Sequence, residues 1–133
     1  MNEEAKSSSS APGSPLLPIL AGGFWLLSIG AVCYLSLIPE VEAPVEFTHA
    51  DKLGHALAYY WLAILPFVWS ERKTALVCAL SMVLLGIVLE FAQGFIGGRD
   101  PSLWDIIANT VGIAYGVWCG FRFVPLNKLR RIS

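Results

Sequence analysis

Residues 16–38 form an unbroken apolar run without a single charged side chain. An α-helix rises about 1.5 Å per residue, and the hydrocarbon core of a bilayer is about 30 Å thick, so roughly 20 apolar residues cross it. This run is long enough to do so alone. Three further apolar runs follow: residues 51–69, with Pro66 near the end, then 74–96 and 102–123. Apart from residues 39–50 the connections are short, which makes consecutive helices antiparallel. The expectation is an all-α integral membrane fold, a four-transmembrane-helix up-and-down bundle over residues 16–124. Composition agrees: 56% of the 133 residues are hydrophobic and 14% charged, where a soluble domain carries about a quarter charged. So few charges leave a soluble surface with large apolar patches.

The segments outside the bundle read differently. Residues 1–15 hold a serine run at 7–10 followed by Pro12, Gly13 and Pro15; such a stretch buries too little apolar surface to order itself, so a disordered tail is expected. Glu3 and Glu4 precede the first apolar run and no small-residue cleavage site follows it, which argues against a signal peptide. Val32 before Cys33 likewise does not suit a lipoprotein. Residues 125–133 form a basic tail with Lys128, Arg130 and Arg131. Orientation follows lysine and arginine. Lys6, Arg72, Lys73, Arg122, Lys128, Arg130 and Arg131 fall on one side of such a bundle, Lys52 and Arg99 on the other, accounting for all nine. Both termini are therefore expected in the cytoplasm (N-in, C-in), with residues 39–50 and 97–101 facing outward. Cys33, Cys78 and Cys119 each stand alone in apolar sequence; they make no disulfide framework or metal motif and read as packing residues.

With that topology the unusual polar residues gather at the outer face. Ser36 and Pro39 end the first run; Asp51, Lys52, His55 and Tyr59 open the second; Glu90 and Gln93 close the third; Arg99 lies in the loop beyond; Asp105 and Asn109 open the fourth. Asp51, His55 and Tyr59 are each four apart and share a helix face. Gly112 and Gly116 continue the stripe of Asp105 and Asn109, and their small-xxx-small spacing lets another helix approach closely. Glu90 stands out. The uncharged part of its run, residues 74–89, spans roughly 24 Å, so the helix carries this acid into or near hydrocarbon, at a cost of a few kcal/mol. Two helix N-termini point into the cluster beside Lys52 and Arg99, an arrangement suited to an anion.

Each residue also has a purely structural reading. Thr48-x-x-Asp51 and Ser102-x-x-Asp105 fit the capping box. Lys52 could be an interface anchor, Arg99 a solvated loop residue, His49 likewise. Tyr59, Tyr60, Trp61 and Trp69 read mostly as lipid-facing or belt aromatics. No cap or interface role is evident for Glu90, which leaves an ion pair with Arg99 or Lys52; Asn109 could simply hydrogen-bond between helices.

In order along residues 25–120, Leu35-Ser36-Leu37-Ile38-Pro39, Asp51-Lys52-x-x-His55 with Tyr59, Glu90-x-x-Gln93, Arg99, and Asp105-Ile106-x-x-Asn109-x-x-Gly112 resemble the VanZ-like family of small bacterial membrane proteins. Each motif is weak alone; the ordered set is specific. The resemblance implies a multi-pass protein of the bacterial inner (plasma) membrane with a role at the cell envelope. The family's namesake is linked to resistance to teicoplanin, a glycopeptide acting on cell-wall precursors. No reaction is implied.

Three functions compete. As an enzyme on a lipid-linked envelope substrate, the chain would use Glu90, His55 and Asp105 as acid, base or proton shuttle, and Lys52 and Arg99 to hold a phosphate or carboxylate; Ser36 lacks the setting of a covalent nucleophile. As a binding protein it would capture an anionic group with the same residues, joined by Asp51, Gln93, Asn109, Ser36 and Tyr59. As a structural or accessory subunit, its polar cluster would be interhelical glue. No metal signature is present, although His55, Glu90, Asp105 and Asp51 are of ligating types. No cofactor motif, phosphate-binding glycine loop or basic nucleic-acid surface occurs either. The expected partners are membrane lipids and a lipid-linked envelope precursor, and oligomeric state is left open.

Overall fold

The computed structural model describes residues 16–38, 50–95 and 102–124, with Ala50 and Asp51 described by backbone alone. All its regular structure is helical: α1 (Leu16–Leu37), α2 (Ala50–Ile64), α3 (Pro66–Trp69), α4 (Arg72–Gln93) and α5 (Leu103–Phe123). The four apolar runs thus each become helix, with Pro66 splitting the second into α2 and the short α3. α1 and α4, 22 residues each, are long and apolar enough to cross a bilayer. The expected tails, the 39–49 and 97–101 loops, Thr48, His49 and Arg99 lie outside the described residues.

The split at Pro66 has a definite repair. Proline has no N–H, so the carbonyl four residues earlier, that of Leu62, loses its helical donor. In an apolar interior an unpaired carbonyl is costly. The indole Nε1 of Trp25 on α1 donates to the Leu62 carbonyl at 2.8 Å. Trp25 is the one buried residue of α1, so this bond is also the helix's main attachment at its middle.

α2 and α5 share the most extensive interface, and it is built on glycine. A Cβ on Gly112 would collide with the Ala56 carbonyl, one on Gly116 would stand 2.7 Å from the Tyr60 carbonyl, and one on Gly120 would stand 2.5 Å from the Phe67 ring. These pairs ascend together, so α2–α3 and α5 run parallel, backbone against backbone, at a spacing that only glycine permits. The small-xxx-small expectation at Gly112 and Gly116 holds, and Gly120 extends it. The core between helices holds Trp25, Tyr59, Leu62, Ala63, Ala79, Met82 and Ile113.

The polarity of α5 is inverted relative to a soluble helix. Its buried side carries Asp105, Asn109, Gly112, Gly116 and Gly120, and its exposed side Trp104, Ile107, Val111, Tyr115 and Trp118. α1 and α4 likewise present Leu20, Leu27, Leu35, Leu80, Leu84 and Val88 outward. In water this arrangement exposes a large apolar surface; in hydrocarbon it is the favourable one, because only polar groups need partners there. The chain is a membrane protein by this criterion.

Candidate functional site

One end of the bundle collects the C-termini of α1 and α4 and the N-termini of α2 and α5, and three polar links define it. Gln93 Nε2 donates to the backbone carbonyl of Ser36 at 2.7 Å, tying α4 to α1. Glu90 Oε1 accepts the backbone N–H of Ser102, tying α4 to α5. Lys52 Nζ stands 3.5 Å from Asp105 Oδ1, tying α2 to α5. Thus Ser36, Lys52, Glu90, Gln93, Asp105 and Asn109 come together at one end of the bundle. Ser36 takes part through its carbonyl rather than its hydroxyl.

The Glu90 contact changes how this acid is understood. Ser102 is the N-cap of α5, in an extended conformation, and its own side chain makes no capping bond. In a capping box the acid at the third helical position, here Asp105, reaches back to the N-cap N–H. Glu90 occupies that position from another helix. The expected Ser102–Asp105 box is therefore not formed, and the absence of any capping role for Glu90 is corrected: the acid sits deep because it closes the start of α5. Its charge also faces the positive end of that helix dipole. Among the described residues, the ion pair of Lys52 is with Asp105 rather than Glu90.

Released from capping, Asp105 turns toward α2. It is 3% exposed, while the Lys52 side chain is 38% exposed. At 3.5 Å without a hydrogen bond, the pair is Coulombic. Asp105 Oδ1 is left with no hydrogen-bond donor, and the same is true of Asn109 Oδ1, one turn further along α5 and 4% exposed. Buried acceptors are nearly always hydrogen-bonded, so two orphans on one helix face are a departure from the rule.

Tyr59 corrects another expectation. It is 1% exposed, in the core rather than against lipid. A Cβ on Gly86 would stand 3.3 Å from its hydroxyl and 3.2 Å from Asn109 Nδ2. Gly86 thus makes the room on α4 in which Tyr59 and Asn109 meet. Sequence reasoning missed it, although a glycine four residues before Glu90 on the same helix face is a visible signal. Trp61 is exposed as expected of a belt aromatic, whereas Tyr60 packs at a tilt against Tyr115, with centroids 5.6 Å apart, and Trp69 against Trp25 at 6.3 Å. His55 is half-buried on α2, one turn from Lys52. The Asp51 side chain and Arg99 lie outside the described residues. Among the described residues no three His, Cys, Asp or Glu side chains stand together as a metal would require. Cys119 is buried and Cys33 and Cys78 are half-buried, all as free thiols.

A helical bundle with an inverted surface and a polar cluster confined to one end defines a small membrane protein organised around that end. It belongs to the VanZ/LLP1 family, whose profile matches residues 16–124. The chain is also 34% identical over 101 residues to an uncharacterized protein of Schizosaccharomyces pombe. That match covers 71% of this chain and 57% of the yeast protein, so the chain spans little more than half of its relative's length. No solved structure matches the chain.

Proposed function

We propose that this chain is a multi-pass envelope membrane protein, with four spans and both termini in the cytoplasm, whose polar end faces outward and binds the anionic headgroup of a membrane-resident ligand. The observation that carries this reading is the division of labour within the cluster. Glu90 and Gln93 are engaged with backbone groups of neighbouring helices and form the frame. Lys52, half-exposed, and the orphaned oxygens of Asp105 and Asn109 form the working face, with His55 one turn along α2. Lys52 at the start of α2 supplies the positive charge for a phosphate, assisted by the N-terminal ends of α2 and α5. Binding needs nothing further, whereas the acid that sequence reading favoured for catalysis has a capping role that accounts for its depth. A relative in fission yeast favours a ligand common to membranes over one confined to a bacterial wall. An influence on teicoplanin-type sensitivity, where present, would follow from such binding.

The test is saturable binding of short-chain phosphatidic acid, against diacylglycerol as a phosphate-free control, to the purified protein by intrinsic tryptophan fluorescence. Saturable phosphatidic acid binding that weakens by about tenfold in Lys52→Gln, the size of one charge-assisted contact, supports the reading. Equal binding by Lys52→Gln overturns it. Reporter fusions at both termini check the orientation.

The same links also favour a second reading, in which the cluster is interhelical glue alone, because three contacts join three pairs of helices. In that case Lys52→Gln and Asp105→Asn lower thermal stability and no lipid headgroup is distinguished.

A further inference from the structure

Within the proposed binding reading, we infer that the headgroup recognised at this end is one that carries a primary ammonium beside its phosphate, of the phosphoethanolamine type. The inference rests on that reading for the phosphate and on the two orphaned acceptors for the ammonium.

Asp105 Oδ1 and Asn109 Oδ1 are both buried without a donor. Four residues apart on α5, their side chains originate about 5–6 Å from each other. One group that reached both would meet each at about 3 Å. The group that fills this place must therefore donate at least twice. A primary ammonium has three N–H donors, a hydroxyl has one, and a quaternary ammonium has none.

Charge leads to the same class. Among the described side chains at this end, Lys52 pairs with Asp105, and a second carboxylate, Glu90, caps α5. Glu90 is offset in part by the dipole of the helix it caps. Asp105 and Lys52 stand as an ion pair. A headgroup bearing phosphate alone competes with Asp105 for Lys52, and so binds but less tightly. A headgroup bearing both phosphate and ammonium gives each buried charge a partner: phosphate with Lys52, ammonium with Asp105 and Asn109. The competing occupant is a buried water, which also donates twice but does not distinguish one headgroup from another.

The ligand series needs no mutation. Short-chain phosphatidylethanolamine, phosphatidylcholine, phosphatidylglycerol and phosphatidic acid are titrated into the purified full chain. Phosphatidylcholine keeps both charges and removes every N–H, so the expected result is phosphatidylethanolamine binding tighter by about tenfold or more, the size of a charge-assisted hydrogen bond. In Asp105→Asn that preference falls to within about threefold. Equal affinity for phosphatidylethanolamine and phosphatidylcholine overturns the inference in favour of water between the acceptors. Phosphatidylglycerol binding as tightly as phosphatidylethanolamine overturns it in favour of hydroxyl or simple anion recognition. A preference that survives Asp105→Asn removes Asp105 from the role. Failure of the binding reading itself is distinct: none of the four lipids, phosphatidic acid included, then binds saturably.

Discussion

Glu90 shows how a single residue can be both readable and misread. That an acid lies deep follows from residues 74–89 alone, because their helix is too short to cross a bilayer without it. That its oxygen closes the start of α5 does not follow, because the N–H it faces belongs to a helix joined through a separate loop. The capping assignment separates two substitutions. Glu90→Gln keeps a side-chain oxygen to accept the Ser102 N–H and should hold thermal stability to within about 1 kcal/mol. Glu90→Leu removes the acceptor and should cost about 1–3 kcal/mol, the usual penalty for an orphaned buried donor. Equal losses in thermal denaturation of the two purified variants would refute the cap. Tyr59 was obscured for a different reason. Its spacing from His55 is plain, but whether that face looks to lipid or core depends on the glycines of α5 and on Gly86, which together set how α2 is turned.

Among elements, the break between α2 and α3 is the most informative. Proline at 66 predicts an orphaned carbonyl at Leu62, and that half of the interaction can be written down from sequence. The donor, Trp25, is 37 residues away and is one of five tryptophans; nothing local marks it. The pairing makes a coupled prediction. Trp25→Phe leaves the Leu62 carbonyl without a donor and should destabilise the protein by about 1–3 kcal/mol. In a Pro66→Ala background the residue at 66 regains an N–H for the same carbonyl, so Trp25→Phe should cost measurably less. A double-mutant cycle on thermal unfolding tests this; additive losses would mean that the indole bond is incidental. The remaining element boundaries follow the sequence reading to within a few residues, because long apolar runs bounded by Pro, Gly and charged residues leave little choice. The parallel pairing of α2 with α5 was signalled by Gly112 and Gly116, but their partner helix was not.

For the whole molecule, the decisive property is which side of each helix is apolar. On a soluble protein, Val111→Lys at an exposed position on α5 would change stability by no more than about 0.5 kcal/mol. If α5 lies against hydrocarbon, a mid-helix lysine costs about 2.5–3.5 kcal/mol of insertion free energy. Glycosylation-reporter insertion of α5, with and without the substitution, should show a clear drop in the inserted fraction. An unchanged fraction would contradict a lipid-facing α5.

The bonds that anchor α1 also bear on how the protein is made. The Leu62 carbonyl that accepts from its indole is synthesised 37 residues after Trp25, and the glutamine that holds its far end 57 residues after Ser36. During translation, α1 must therefore reside in the bilayer without its eventual contacts. Its uncharged, outward-apolar surface suits it to that wait. If α2 also spans, it carries Lys52 to the membrane before Asp105 exists to neutralise it. Lys52 gains its aspartate, and α2 the glycines it packs on, only when α5 has been made.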